Sequence, residues 1–210
     1  MKTSRHLITL TIFVILSNIC LVSKAQSGTL KSKNGLVLFY SSDSLNFTIR
    51  LDEPNSEMPI WIDNNYLQLF KDHFYIQVID KESITMNNTP EKDLLTTFQK
   101  WETDYIESSI QQSVKRTKYI NDNDSISFKF KNLKYNAWYY AVELNSGKLY
   151  FYFLDIYKNG YFIRMTFKGK LPSARIFIPA VLNGVLFYSK KIDHNKLQNS
   201  LKNGQYSYPE

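Results

Sequence analysis

Two apolar stretches flank a turn in the N-terminal third of the chain. Leu36-Val37-Leu38-Phe39-Tyr40 is continuous, Ser41-Ser42-Asp43-Ser44 is turn-forming, and Phe47, Ile49 and Leu51 alternate with polar neighbours, a pattern that predicts a β-hairpin. Pro54 and Pro59 end the second strand because neither can donate to a ladder, and 66–70 and 74–79 are two further strand-like runs. From Pro90 to about Lys118 the period becomes helical. Leu94, Phe98, Trp101 and Tyr105 fall on one stripe, with Leu95 and Ile106 beside it. Thr89 is placed to cap this helix, Pro90, Glu91 and Asp93 suit its first turn, and Lys115, Arg116 and Lys118 suit its negative end.

Ile126, Phe128 and Phe130 alternate with Ser127, Lys129 and Lys131 as in a half-exposed strand. Three more runs, 138–144, 149–157 and 161–167, read as an antiparallel meander joined by Asn145-Ser146-Gly147-Lys148 and Lys158-Asn159-Gly160. Two-residue loops at Ser146-Gly147 and Asn159-Gly160 predict Val142 opposite Phe151 and Asp155 opposite Arg164. One face then carries Trp138, Tyr140, Val142, Phe151, Phe153, Asp155, Phe162 and Arg164. The other carries Tyr139, Ala141, Tyr150, Tyr152, Leu154, Ile156, Ile163, Met165 and Phe167. Both faces are too apolar for water, and helices are the expected cover. A second helix is expected within 172–188, with Ser173 as cap and Ile178, Val181, Leu182, Val185 and Leu186 as its stripe; Pro179 either kinks it or starts it. The expected fold class is α+β: an α/β/α sandwich with a central, mainly antiparallel sheet, one long amphipathic helix and a C-terminal helix.

The first 25 residues stand apart. Lys2 and Arg5 precede an apolar run from Leu7 to Leu16, and Ser23-Lys24-Ala25 places small residues before Gln26. This is the pattern of a secretory signal peptide, and its apolar run is shorter than the roughly 20 residues of a permanent span. The competing reading, a lipid anchor on Cys20, is disfavoured by Ile19, where such motifs take a small residue. The expected organisation is a signal peptide over 1–25, a polar lead-in over 26–34, a single α+β domain over 35–189 and a polar tail over 190–210 with a short helix from Asp193 to Leu201. The expected location is periplasmic or extracellular.

Cleavage after Ala25 changes the charge and the chemistry available. The full chain carries +7, and losing Lys2, Arg5 and Lys24 with no acidic residue leaves +4. Cys20 is the sole cysteine, so a mature chain has no disulfide, thiolate nucleophile or cysteine metal site. The 15 Tyr, 14 Phe and 3 Trp exclude low-complexity disorder, and about 185 residues can supply a core without cross-links.

The order of elements resembles the PsbP-like fold. Phe47-Thr48-Ile49-Arg50-Leu51 running into Pro54 and Pro59-Ile60-Trp61 looks like that family's apolar strand before a Pro/Trp segment, and 161–167 with the helix after Pro172 looks like its closing strand and helix. The likeness covers most of 36–188 and implies an α/β/α sandwich that acts as a binding or assembly module. It carries over no functional residue.

Chemistry-bearing motifs are sparse. His73 and His194 are the histidines of a mature chain, they lie far apart, and neither has metal-ligand spacing around it, so no metal or cofactor is expected. There is no Gly-x-Ser-x-Gly elbow or phosphate loop. Asn121, Asp122, Asn123 and Asp124 lack the Gly and Glu of a calcium loop and read as a solvated turn. Lys129, Lys131 and Lys134 among aromatics resemble a single-strand nucleic-acid platform, but export and the modest charge argue against it. Asp43-Ser44-Leu45 and Asp124-Ser125-Ile126 resemble bacterial O-glycosylation sites, and Asn46-Phe47-Thr48, Asn87-Asn88-Thr89 and Asn123-Asp124-Ser125 fit the N-linked pattern. The pair Asp155 and Arg164, with Trp138 nearby, is either a structural ion pair or an anchor for a polar ligand group in an aromatic pocket. The expected function is therefore an exported, non-catalytic binding or accessory module of the envelope. Its rivals are a small-ligand or lipid carrier with a pocket between sheet and helix, and an unrecognised carboxylate-based hydrolase.

Overall fold

The computed structural model describes residues 25–32, 35–51, 60–69, 74–84, 86, 88–110, 117–118, 134–144, 147–169, 181 and 183–205. Its backbone is dominated by two antiparallel sheets. The first contains β1 (Gln26–Ser32), β2 (Gly35–Ser41), β3 (Asn46–Leu51) and β11 (Val185–Phe187), in that spatial order. The second contains β4 (Ile60–Asp63), β5 (Tyr66–Leu69), β6 (Phe74–Asp80), β10 (Tyr161–Gly169), β9 (Gly147–Lys158), β8 (Lys134–Leu144) and β7 (Thr117–Lys118), also in spatial order. Helix α1 (Leu94–Ile110) lies on the second sheet across β8 and β9, and α2 (His194–Lys202) lies on the first against β1.

This mainly-β architecture overturns the expected α/β/α sandwich. The meander face bearing Tyr152, Leu154, Ile156, Ile163 and Met165 is covered by the four-stranded sheet, through Leu36, Leu38, Tyr40, Phe47, Ile49 and Leu51. Helix α1 covers the opposite face, where its Leu94, Phe98 and Ile106 meet Phe162, Trp138, Tyr140 and Phe153. The four-stranded sheet has its own helix: Leu197 and Leu201 of α2, with Ile192, pack on Leu30, Val37 and Phe39. Strand β2 is consequently buried on both faces, which is why 36–40 reads as unbroken apolar sequence. The alternation shows that both faces demand apolar cover; periodicity does not say whether a helix or another sheet meets it.

Three segments depart from expectation for local reasons. The second helix does not persist through 172–188, because Val185–Phe187 pairs with Phe47–Ile49 as β11; residues 172–180 and 182 lie outside the described residues. Gly184 passes so close to the Arg50 carbonyl oxygen that any Cβ would collide with it, and the β-branched Val185 then finds a ready strand edge. Backbone pairing in the tertiary fold overrides the helical stripe. The stretch expected as a polar lead-in forms β1 and pairs with β2 from Gln26 opposite Ser41 to Ser32 opposite Gly35. At α1 the helix proper starts at Leu94, four residues after Pro90; Thr89 donates its N–H to Met86 in a preceding turn and Thr97 donates to the Asp93 carbonyl. The expected strand at 126–130 and the basic helix end at 115–116 lie outside the described residues.

The meander register holds the site. Asn159 (φ 50°) and Gly160 (φ 86°) both take left-handed backbone, the requirement of a two-residue hairpin, and Asp155 pairs with Arg164 as expected. At the other hairpin Leu144 pairs with Gly147, so Tyr140, not Val142, lies opposite Phe151. That offset is two residues, the side-chain period, and every residue keeps its expected face. Among the described residues no helix is long and apolar enough to cross a membrane.

Candidate functional site

A charged cluster sits inside the apolar layer between α1 and the seven-stranded sheet. Asp155 on β9 alternates with Phe153 and Tyr157, Arg164 on β10 follows Phe162, and Trp138 on β8 is opposite Phe153. All three sequence-nominated residues therefore meet at one place. Their relative exposures are 0% for Asp155, 1% for Arg164 and 0% for Trp138, so solvent does not reach them.

The charged groups are paired with one another. Arg164 Nε donates to Asp155 Oδ1 at 2.8 Å and Nη2 donates to Oδ2 at 3.3 Å, a two-pronged contact that suits the planar guanidinium. Trp138 Nε1 donates to Asp155 Oδ2 at 2.9 Å. Glu102 reaches down from α1 to form an ion pair with Arg164 Nη1. Aromatic rings close the rest: Phe98 and Phe153 lie 4.3 and 5.2 Å from the guanidinium carbon, Phe98 stacks on Phe162 at 4.0 Å, and Trp138 stacks on Phe153 at 4.3 Å.

Burial and charge act on this cluster in opposite directions. Burial alone would lower the pKa of Arg164, but Asp155 and Glu102 more than offset that and raise it, which keeps the guanidinium charged. Tyr140, beside Glu102 and Arg164, has its phenol pushed up to about 12, first by burial and then by the Glu102 charge. The cluster holds two carboxylates and one guanidinium, all engaged with one another. Its chemistry is that of a clamp between α1 and the meander.

Glu102 and Tyr140 were not nominated from sequence as site residues. Glu102 left a signal: it lies four residues after Phe98 and eight after Leu94, so it is a carboxylate on the apolar stripe of an amphipathic helix, where only a buried cation would make it welcome.

The open chemistry lies at one end of the same helix. A cleft of about 390 Å³ is lined by Glu91, Lys92 and Leu95 on one side and Lys134, Tyr135 and Tyr157 on the other. Lys134 Nζ donates to Glu91 Oε1 at 2.7 Å across it and holds the Glu91 carboxyl below its ordinary pKa, through that hydrogen bond first and the lysine charge second. The cleft does lie between sheet and helix, as a carrier would require, but away from Asp155, Arg164 and Trp138.

The remaining sequence candidates divide by location. Cys20, His73 and Asn121 to Asp124 lie outside the described residues. His194 opens α2 with its ring 5.7 Å from that of Phe39. Asn46, the acceptor of one N-linked pattern, is buried and its Oδ1 accepts from Ser41 Oγ at 2.7 Å, so it is closed to a glycan in the folded chain. Ser44 is exposed in the turn between β2 and β3. Among the described residues no group of three or more His, Cys, Asp or Glu is placed to hold a metal ion. No protein-family model matches the chain, and no curated protein sequence is significantly similar to it.

Proposed function

We propose that the chain is an exported, non-catalytic binding module of the cell envelope, which engages its partner through the cleft between the start of α1 and the ends of β8 and β9. The observation that carries this reading is the burial of Asp155 and Arg164: the densest charged chemistry among the described residues is closed off, its two buried members hydrogen-bonded to each other and Arg164 ion-paired to half-buried Glu102. The cleft, by contrast, opens to the outside with Lys92, the Lys134–Glu91 pair, two tyrosines and Leu95, a surface suited to a polar group on a partner. The export half of the proposal rests on the leader pattern of residues 1–25.

A small-ligand carrier is the second reading, favoured by the same cleft and its volume. Site-resolved crosslinking in the native host's envelope separates the two. A photo-crosslinking residue in place of Lys92, at the cleft, is compared with one in place of Lys202, at the far end of α2. A stoichiometric protein adduct from position 92 and none from position 202 supports the module. Adducts of one small molecule at position 92, reproduced with purified protein, support the carrier. Turnover of envelope substrates by the purified chain sinks both.

A further inference from the structure

The leader pattern places the cut after Ala25, and the structure begins its first strand at the next residue, with no slack between them. Gln26 pairs with Ser41 as the outermost rung of the β1–β2 ladder. Its side chain is exposed, while Ala25 is buried among the core residues, so in the folded chain the bond after Ala25 is shielded on one side. A protease therefore meets this bond before the four-stranded sheet closes. The new terminus is then a glutamine whose side-chain amide reaches water.

An N-terminal glutamine has a reaction open to no other residue here. Its α-amine and its Cδ are separated by three carbons, so attack closes an unstrained five-membered ring, and tethering gives the amine a high effective concentration at the amide. At an ordinary α-amino pKa of about 7.7–8.0 a useful fraction of the amine is neutral and nucleophilic near pH 7. The N–Cδ bond forms, the Cδ–NH2 bond breaks, and the departing nitrogen takes the proton and leaves as ammonia. No oxidant, reductant or second substrate is required.

We infer that Gln26 is a modification site at which the mature chain is closed as a pyroglutamyl lactam; the inference rests on the export reading above. The lactam suits the fold. Its nitrogen keeps one N–H donor at the end of the ladder, and the positive charge of a free terminus is removed from the sheet edge. It also protects the strand from the end where terminal strands fray. Trimming from a free amine removes Gln26, Ser27, Gly28 and Thr29 in turn and then reaches Leu30, which is buried under α2. A blocked terminus stops that erosion at its first step.

The test is mass spectrometry of the full protein from its native host's envelope. Free amines are tagged with an amine-reactive label immediately on lysis, before digestion, so that cyclisation during handling is not scored. With every lysine labelled, digestion cuts at arginine only, so the expected N-terminal peptide runs from Gln26 to Arg50, carries label on Lys31 and Lys33 but none on its terminus, and is lighter than the encoded peptide by one ammonia. Treating the labelled protein with a pyroglutamyl aminopeptidase should free an unlabelled amine at Ser27, which a second, distinguishable label then tags. In a Gln26→Ser variant the same peptide should appear with a labelled amine, and shorter, trimmed forms should accumulate. A labelled Gln26 in the native chain overturns the lactam and leaves the cut intact. A block that persists in Gln26→Ser also overturns it, since another group would then be responsible. A terminus at any other position, or an intact leader, overturns the export reading and the inference together.

Discussion

Toward the four-stranded sheet, the seven-stranded sheet presents Tyr152, Leu154, Ile156, Ile163 and Met165, an apolar set that packs on Leu36, Leu38 and Ile49. Toward α1 it presents Asp155 and Arg164 among Trp138, Phe153 and Phe162, and the helix answers with Glu102. The strands are the same and both faces are buried, yet the forces differ. Apolar burial is non-directional and tolerates sliding or repacking of one layer on another. The charged cluster is directional, since Arg164 satisfies Asp155 and Glu102 together in only one placement of α1. Desolvation of three ions offsets much of their attraction, so the cluster's contribution is expected to be positional more than stabilising.

The comparison breaks most sharply when one ion is removed. Arg164→Met should leave Asp155 buried beside Glu102 with no cation, at a cost of about 3–5 kcal/mol in a urea denaturation. If the chain fails to fold, Arg164→Met combined with Asp155→Leu is the informative variant: it should recover part of the stability, since Glu102 and the Trp138 Nε1 donor still lack partners, while amide hydrogen exchange in α1 rises. Unchanged α1 exchange in the paired variant would show that the cluster does not position the helix. On the other face Leu154→Ala should cost about 2–5 kcal/mol through lost contact and a residual cavity, with no selective loosening of α1.

Trp138→Phe probes the cluster more gently. The ring can still stack on Phe153, but the Nε1 donor to Asp155 Oδ2 is lost, and a destabilisation of about 1–3 kcal/mol is expected for a weakened buried carboxylate contact. Tyr140 supplies a pH readout of the same layer. Its folded pKa is raised from 10.0 to about 12, so its contribution to stability is fully present below pH 10 and is lost as pH rises from there through about 12. Phenolate absorbance should show Tyr140 ionising later than exposed tyrosines, and in Glu102→Gln the lag should shorten because the carboxylate is the second cause after burial.

The contrast between the faces was largely legible in the sequence, and its limits are physical. Asp155 opposite Arg164 followed from the Asn159-Gly160 turn, since a two-residue loop fixes register and the period of two fixes faces. The hairpin at 145–148 admitted two loop placements, and only cross-strand packing selects the one that pairs Tyr140 with Phe151. Glu102 was missed because its partner is 62 residues away and on another element, a contact no local pattern encodes. The assignment of cover failed for the same reason. Val185 to Phe187 satisfy a helical stripe in isolation, and it takes the free edge of β3 and the close approach of Gly184 to Arg50 to make them a strand.

The smallest expected effect tests whether burial, and not ion pairing as such, distinguishes the α1 layer. Lys134 and Glu91 form a pair of good geometry at 2.7 Å just before the same helix, but both side chains are more than half exposed. Water and salt screen such a pair, and ordering two long side chains opposes it. Glu91 has a lowered folded pKa, so whatever it contributes is present above its ordinary value of 4.5 and is lost as pH falls through the folded value. Glu91→Gln should therefore leave the urea midpoint at neutral pH unchanged within error, and added salt should not alter that result. A loss comparable to that of Arg164→Met would mean that the open cleft anchors α1 as firmly as the buried cluster does, and the difference between the two sites would then lie in accessibility alone.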